Sequence, residues 1–64
     1  MKHIPETLPD GFKYRAHDRL YHVVMSFTDC GDLFYVVKYY GRYKQWWHYE
    51  VESDFALKLI LKNR

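Results

Sequence analysis

The chain is short of most of what specialised chemistry is built from. Its 64 residues include one cysteine, two prolines and three glycines. A lone Cys30 excludes an intrachain disulfide and gives no sign of an oxidising compartment. There is no glycine-rich phosphate loop, and no apolar run approaches the ~20 residues that span a bilayer. The opening Met1-Lys2-His3-Ile4-Pro5-Glu6 lacks the apolar core of a signal peptide, so a cytoplasmic chain with no membrane contact is expected. Charge of one sign is scarce too. Ten Lys and Arg against eight Asp and Glu leave +2, too little to mark a nucleic-acid binder by charge alone.

Metal and catalytic patterns are also missing. His3, His17, His22 and His48, with Cys30, are the ligands available beside carboxylates. They follow no Cys-x-x-Cys, His-x-x-x-His or His-Glu-x-x-His spacing. His22 and His48 can approach across a sheet, but zinc takes a third and a fourth ligand, so no metal or other cofactor is expected. Cys30 lies between Asp29 and Asp32, whose charge opposes a reactive thiolate. Ser26 and Ser53 have no base placed beside them, and Glu50 and Glu52 read as charge on the solvated end of a strand. A chain this short has little room for a pocket that excludes water. An enzyme is not expected.

Aromatic residues are what the chain does have. Residues 33–51 contain both tryptophans and five of the seven tyrosines, interleaved with valines. Aromatic and β-branched side chains suit a pleated, half-buried surface. The same stretch holds Lys38, Arg42 and Lys44 and no acid before Glu50.

The organisation expected is one domain over 11–64 after an extended arm, residues 1–10, that carries Pro5 and Pro9. Pro9-Asp10-Gly11 is a turn signal, and Phe12, Tyr14 and Ala16 alternate with cations, as a short first strand or a segment lying along the sheet would. Residues 20–28 alternate as a strand. Asp29-Cys30-Gly31 fits a three-residue hairpin loop, which pairs Phe27 with Leu33, Met25 with Tyr35 and Val23 with Val37. Strands follow over about 33–40 and 45–51. A loop over roughly 41–45 pairs Tyr39 with Trp47, Val37 with Tyr49 and Tyr35 with Val51. A two-residue Gly41-Arg42 turn would set the opposite parity, aligning Lys38 and Gln45 with apolar neighbours. The longer loop is preferred because it yields one face free of charge. Ser53 then caps a helix over 54–62, with Asp54 in its first turn. Phe55, Ala56, Leu59 and Ile60 are expected to cover the sheet, leaving Leu57 and Leu61 for its edge, the arm or a partner.

The fold class that results is α+β: a small antiparallel meander of three or four strands packed by one C-terminal helix, with an SH3-like curled barrel as the alternative. The core face would carry Tyr21, Val23, Met25, Phe27, Leu33, Tyr35, Val37, Tyr39, Trp47, Tyr49 and Val51. The opposite face would carry His22, Val24, Ser26, Phe34, Val36, Lys38, Tyr40, Trp46 and His48. One short helix cannot cover both. The expected function is a small non-enzymatic protein-interaction module, a regulator or inhibitor of a larger protein. It would bind a protein partner or a second copy through Phe34, Lys38, Tyr40, Arg42, Lys44, Trp46 and His48. The alternative is a nucleic-acid-binding accessory domain that uses the same hairpin, Tyr40 and Trp46 stacking on bases while Lys38, Arg42 and Lys44 meet phosphates. Three such phosphate contacts would give a log–log salt slope of about −2 to −3.

Overall fold

Alternating side chains and tight turns fold the chain into an antiparallel meander of four strands in the order β1-β2-β3-β4, followed by one helix. The computed structural model describes residues 4–41, 43 and 45–63. β1 is Lys13–Ala16, β2 Arg19–Asp29, β3 Asp32–Tyr40, β4 Trp47–Ser53, and α1 Asp54–Lys62. The sheet is open, with the helix on one side, so the α+β meander holds and the curled barrel does not.

Both short hairpins close through two residues of positive φ. His17 and Asp18 (φ 52° and 63°) join β1 to β2, and Cys30 and Gly31 (φ 52° and 82°) join β2 to β3. Such mirror-type turns match the right-handed twist of the strands they connect. The three-residue loop expected at 29–31 is therefore shorter: Asp29 is the last residue of β2 and pairs with Asp32. A bulge at Val24 then restores the register further along. Val23 faces Val37 as expected, but Phe27 faces Phe34 rather than Leu33, and Met25 faces Val36 rather than Tyr35. Between the turn and the bulge, Met25 and Phe27 thus point to the side opposite the one assigned from their alternation.

The β3–β4 register is also one residue from the preferred one. Tyr40 pairs with Trp47, Lys38 with Tyr49 and Val36 with Val51. Gly41 sets it: its N–H donates to the Trp46 carbonyl (2.9 Å), and its own carbonyl accepts from the Gln45 N–H (3.0 Å). Trp47, Tyr49 and Val51 consequently lie on the side away from the helix, while His48, Glu50 and Glu52 lie on the helix side.

The core sits under the helix. Tyr14, Tyr21, Val23, Tyr35 and Val37 are buried from the sheet, Leu57 from the helix and Leu8 from the segment before β1. Tyr35 is its hub, with no exposed area. Its hydroxyl accepts from the Leu8 N–H (3.1 Å) and donates to Asp54 Oδ1 (2.6 Å). Lys58 Nζ lies 3.2 Å from Asp54 Oδ1 and donates to the Glu6 carbonyl at 2.8 Å. The segment over 4–10 is thereby tied to both sheet and helix.

Ser53 is the N-cap, its hydroxyl accepting from the Ala56 N–H at 3.1 Å. Ile60 packs on the core as expected, but the helix is rotated from its expected phase. Leu57 is fully buried, with Ile60 and Leu61 packed beside it, while Phe55 is 75% exposed and Leu59 also points outward. The reason is the junction: β4 ends at Ser53 and the helix begins at Asp54, so no linker can rotate it. With Asp54 bound to Tyr35, Leu57 lies one turn further on the same side.

Candidate interaction face

The uncovered side of the sheet is built from the positions that alternate with the core. Four rows run across the strands. Phe27 and Phe34 form one, and Met25, Val36 and Val51 the next. Lys13, His22, Lys38 and Tyr49 form a third, and Arg15, Leu20, Tyr40 and Trp47 a fourth. Asp29 and Asp32 stand beyond the phenylalanines at the hairpin tip. Met25, Leu20, Tyr40, Trp47, Tyr49 and Val51 are all exposed, and Tyr49 and Val51 reach 60% and 59%. Large contiguous apolar patches of this kind are unusual on a chain that stays alone in water.

Contacts within the face order it. The Phe27 and Phe34 rings stack at 5.5 Å, and Trp47 makes edge-to-face contacts with Tyr40 (5.4 Å) and His22 (5.3 Å). Lys38 Nζ lies 4.4 Å from the centre of the Trp47 ring. The Tyr40 hydroxyl donates to the Gln45 carbonyl at 2.6 Å, which braces the adjoining loop. The patch is thus held on strands, with its rings oriented before any partner arrives.

A second aromatic group lies on the helix side, past the end of the helix. Arg19 sits 4.3 Å over the Tyr39 ring, Tyr39 stacks on His48 at 5.1 Å, and Trp46 tilts toward His48 at 5.8 Å. His48 packs so closely on Gly41 that a Cβ there would meet its imidazole. Arg19, Tyr39, Gly41 and His48, together with Asp18 and Tyr43, border an open cleft of about 430 Å³. Hydrogen bonding to the Tyr21 hydroxyl raises the Arg19 pKa. Burial, and then the neighbouring Tyr21, pushes the Tyr14 phenol well above its usual value. Burial and the bond to Asp54 raise that of Tyr35. Each tyrosine is thereby kept neutral, in keeping with a structural role.

The seven residues expected at the site divide between these places. Phe34, Lys38 and Tyr40 lie on the open face. His48 belongs to the helix side, with Trp46 tilted against it. Arg42 and Lys44 lie outside the described residues. Met25, Phe27, Trp47, Tyr49 and Val51, which alternation assigned to the core, are instead the bulk of the open face. Gly31 at the second turn position was the signal that could have revealed part of this, since a two-residue turn of positive φ asks for glycine there.

Among the described residues, no group of three His, Cys, Asp or Glu side chains is placed to hold a metal ion, and no helix is long and apolar enough to cross a membrane. Neither a family model, nor a curated protein, nor a solved structure matches the chain.

Proposed function

We propose that this chain is a non-enzymatic protein-interaction module that docks another protein surface on the open face of its sheet. One observation carries the reading. Among the described residues, the helix and the segment over 4–10 both cover one side, while the other side presents Met25, Val36, Tyr40, Trp47, Tyr49 and Val51 together. Rigid aromatic side chains on strands concentrate binding energy at little entropic cost. A protein surface suits this face better than nucleic acid, because Lys38 already lies on the Trp47 ring. The cation that would meet phosphate is thus engaged with a ring of the face itself. A free, exposed Cys30 suits a reducing compartment such as the cytoplasm.

Photo-crosslinking tests the reading. Benzoylphenylalanine in place of Tyr49, on the open face, should form protein adducts in cells, either with another protein or with the chain itself. The same group in place of Leu59, on the outer side of the helix, should form few. Equal adducts from the two positions, or none from position 49, would refute a docking role for the sheet.

A further inference from the structure

Resting on the reading of the open face as a docking surface, we infer that its occupant is a second copy of this chain. The two copies pack sheet to sheet about a two-fold axis that lies across the strands.

Charge is the first argument. The face is acidic at one end and basic at the other. Asp29 and Asp32 stand at the β2–β3 tip; Lys13 and Arg15 stand on β1 near the far end, with Lys38 beside them. The two aspartates face each other directly across the hairpin, an arrangement that is unfavourable in itself. Among the described residues the one ion pair is Lys58 with Asp54, so no described cation answers them within the chain. A two-fold axis along the strands would bring the four carboxylates of two copies together. An axis across the strands exchanges the ends and sets the acidic tip of each copy near the Lys13 and Arg15 of the other.

The row pattern fits the same operation. Met25, Val36 and Val51 form the middle row, with the phenylalanines and then the two aspartates on one side of it and two rows on the other. The end rows lie about 13 Å away from it along the strands. Rotation about the middle row lays it on its own copy. It also lays Phe27 and Phe34 on the row of His22, Lys38 and Tyr49. The contact is isologous, the commonest way for a single chain to associate. The product is a sandwich of two sheets roughly 10 Å apart with a helix on each outer side.

Sedimentation equilibrium on the full chain, with circular dichroism as the check on folding, tests this. The chain should be a dimer that dissociates on dilution. Val51→Lys places two like charges near the axis and should weaken the dimer about a hundredfold with the fold unchanged. Reversing the acidic end (Asp29→Lys with Asp32→Lys) should weaken it about tenfold, and so should reversing the basic end (Lys13→Glu with Arg15→Glu). All four changes together should restore association to within about threefold of the original. These four positions are exposed, so the swap remains informative if Val51→Lys fails to fold. Three results would overturn the inference: a monomer up to about 1 mM, a dimer indifferent to Val51→Lys, or a fourfold variant no better than its halves. A monomer that still forms adducts with another protein from position 49 would remove the second copy and leave the docking face standing. A monomer without adducts would remove both.

Discussion

The two sides of this sheet have nearly the same chemistry and opposite fates. On the helix side, Tyr14, Tyr21, Val23, Tyr35 and Val37 are buried under Leu57 and Leu8. On the other side, Met25, Tyr40, Trp47, Tyr49 and Val51 are just as apolar and stand in water. Residue type therefore does not distinguish core from surface here. What distinguishes them is where the covering pieces are anchored. Tyr35 fastens both, through its bonds to the Leu8 N–H and to Asp54, and Lys58 adds a second tie between helix and arm. Every such anchor is on one side. The other side is left as apolar surface with a fixed shape, which is what a docking site requires.

The comparison can be broken from the core side first. Leu57→Ala empties a fully buried position and should destabilise the fold by about 2–5 kcal/mol in urea titrations. A loss below that would mean the helix is not the true cover. Tyr35→Phe keeps the ring and removes the hydroxyl that joins Leu8 to Asp54. A loss of about 1–3 kcal/mol is expected, since the buried Leu8 N–H is left without its acceptor.

The same hydroxyl predicts a dependence on pH. Burial and the bond to Asp54 raise the Tyr35 pKa above that of the unfolded chain, and burial does the same for Tyr14. Below the unfolded phenol value of about 10, both states keep the proton and the stabilisation is complete. Above it, the unfolded chain ionises first, and stability falls as pH rises toward the folded values. Urea midpoints measured across the alkaline range should show this decline, and Tyr35→Phe should make it shallower. A flat profile above pH ~10 would contradict the neutral, buried phenols.

Smaller effects sharpen the contrast. Ser53→Ala removes the cap acceptor for the Ala56 N–H and should cost about 1 kcal/mol, read by the same titration. Smallest of all, Tyr49→Ala should change the stability of the isolated chain by no more than about 0.5 kcal/mol, because the ring is mostly solvated. Its effect should appear in association instead.

The sequence made the element order and the surplus of aromatic surface legible. Alternation located β2, β3 and β4, and Ser53 with Asp54 marked the start of the helix. It did not reveal which residues share a side, and the causes are local. Val24 is an extra residue in β2, and nothing in its side chain announces a bulge. Cys30 accepts a φ of 52° in a turn that composition assigns to three residues rather than two. Tyr49 and Val51 were sent inward by the rule that apolar residues face the core, which fails where both sides of a strand are apolar. Glu50 and Glu52 look misplaced on the helix side, but they border, with Ile60, an open cleft beside the helix. The candidate site was legible as a surplus rather than as a location: Phe34, Lys38 and Tyr40 fall on the open face, and His48 falls on the other.

The most direct measurement compares methyl groups on the two sides as a soluble nitroxide is added, at several protein concentrations. In the dilute chain the Val51 methyls should broaden strongly and those of Leu57 should be spared. As concentration rises, the Val51 signal should become protected while Leu57 stays unchanged. A Val51 methyl shielded even at the highest dilution would contradict the open face itself. One broadened equally at every concentration would contradict its cover by a second copy.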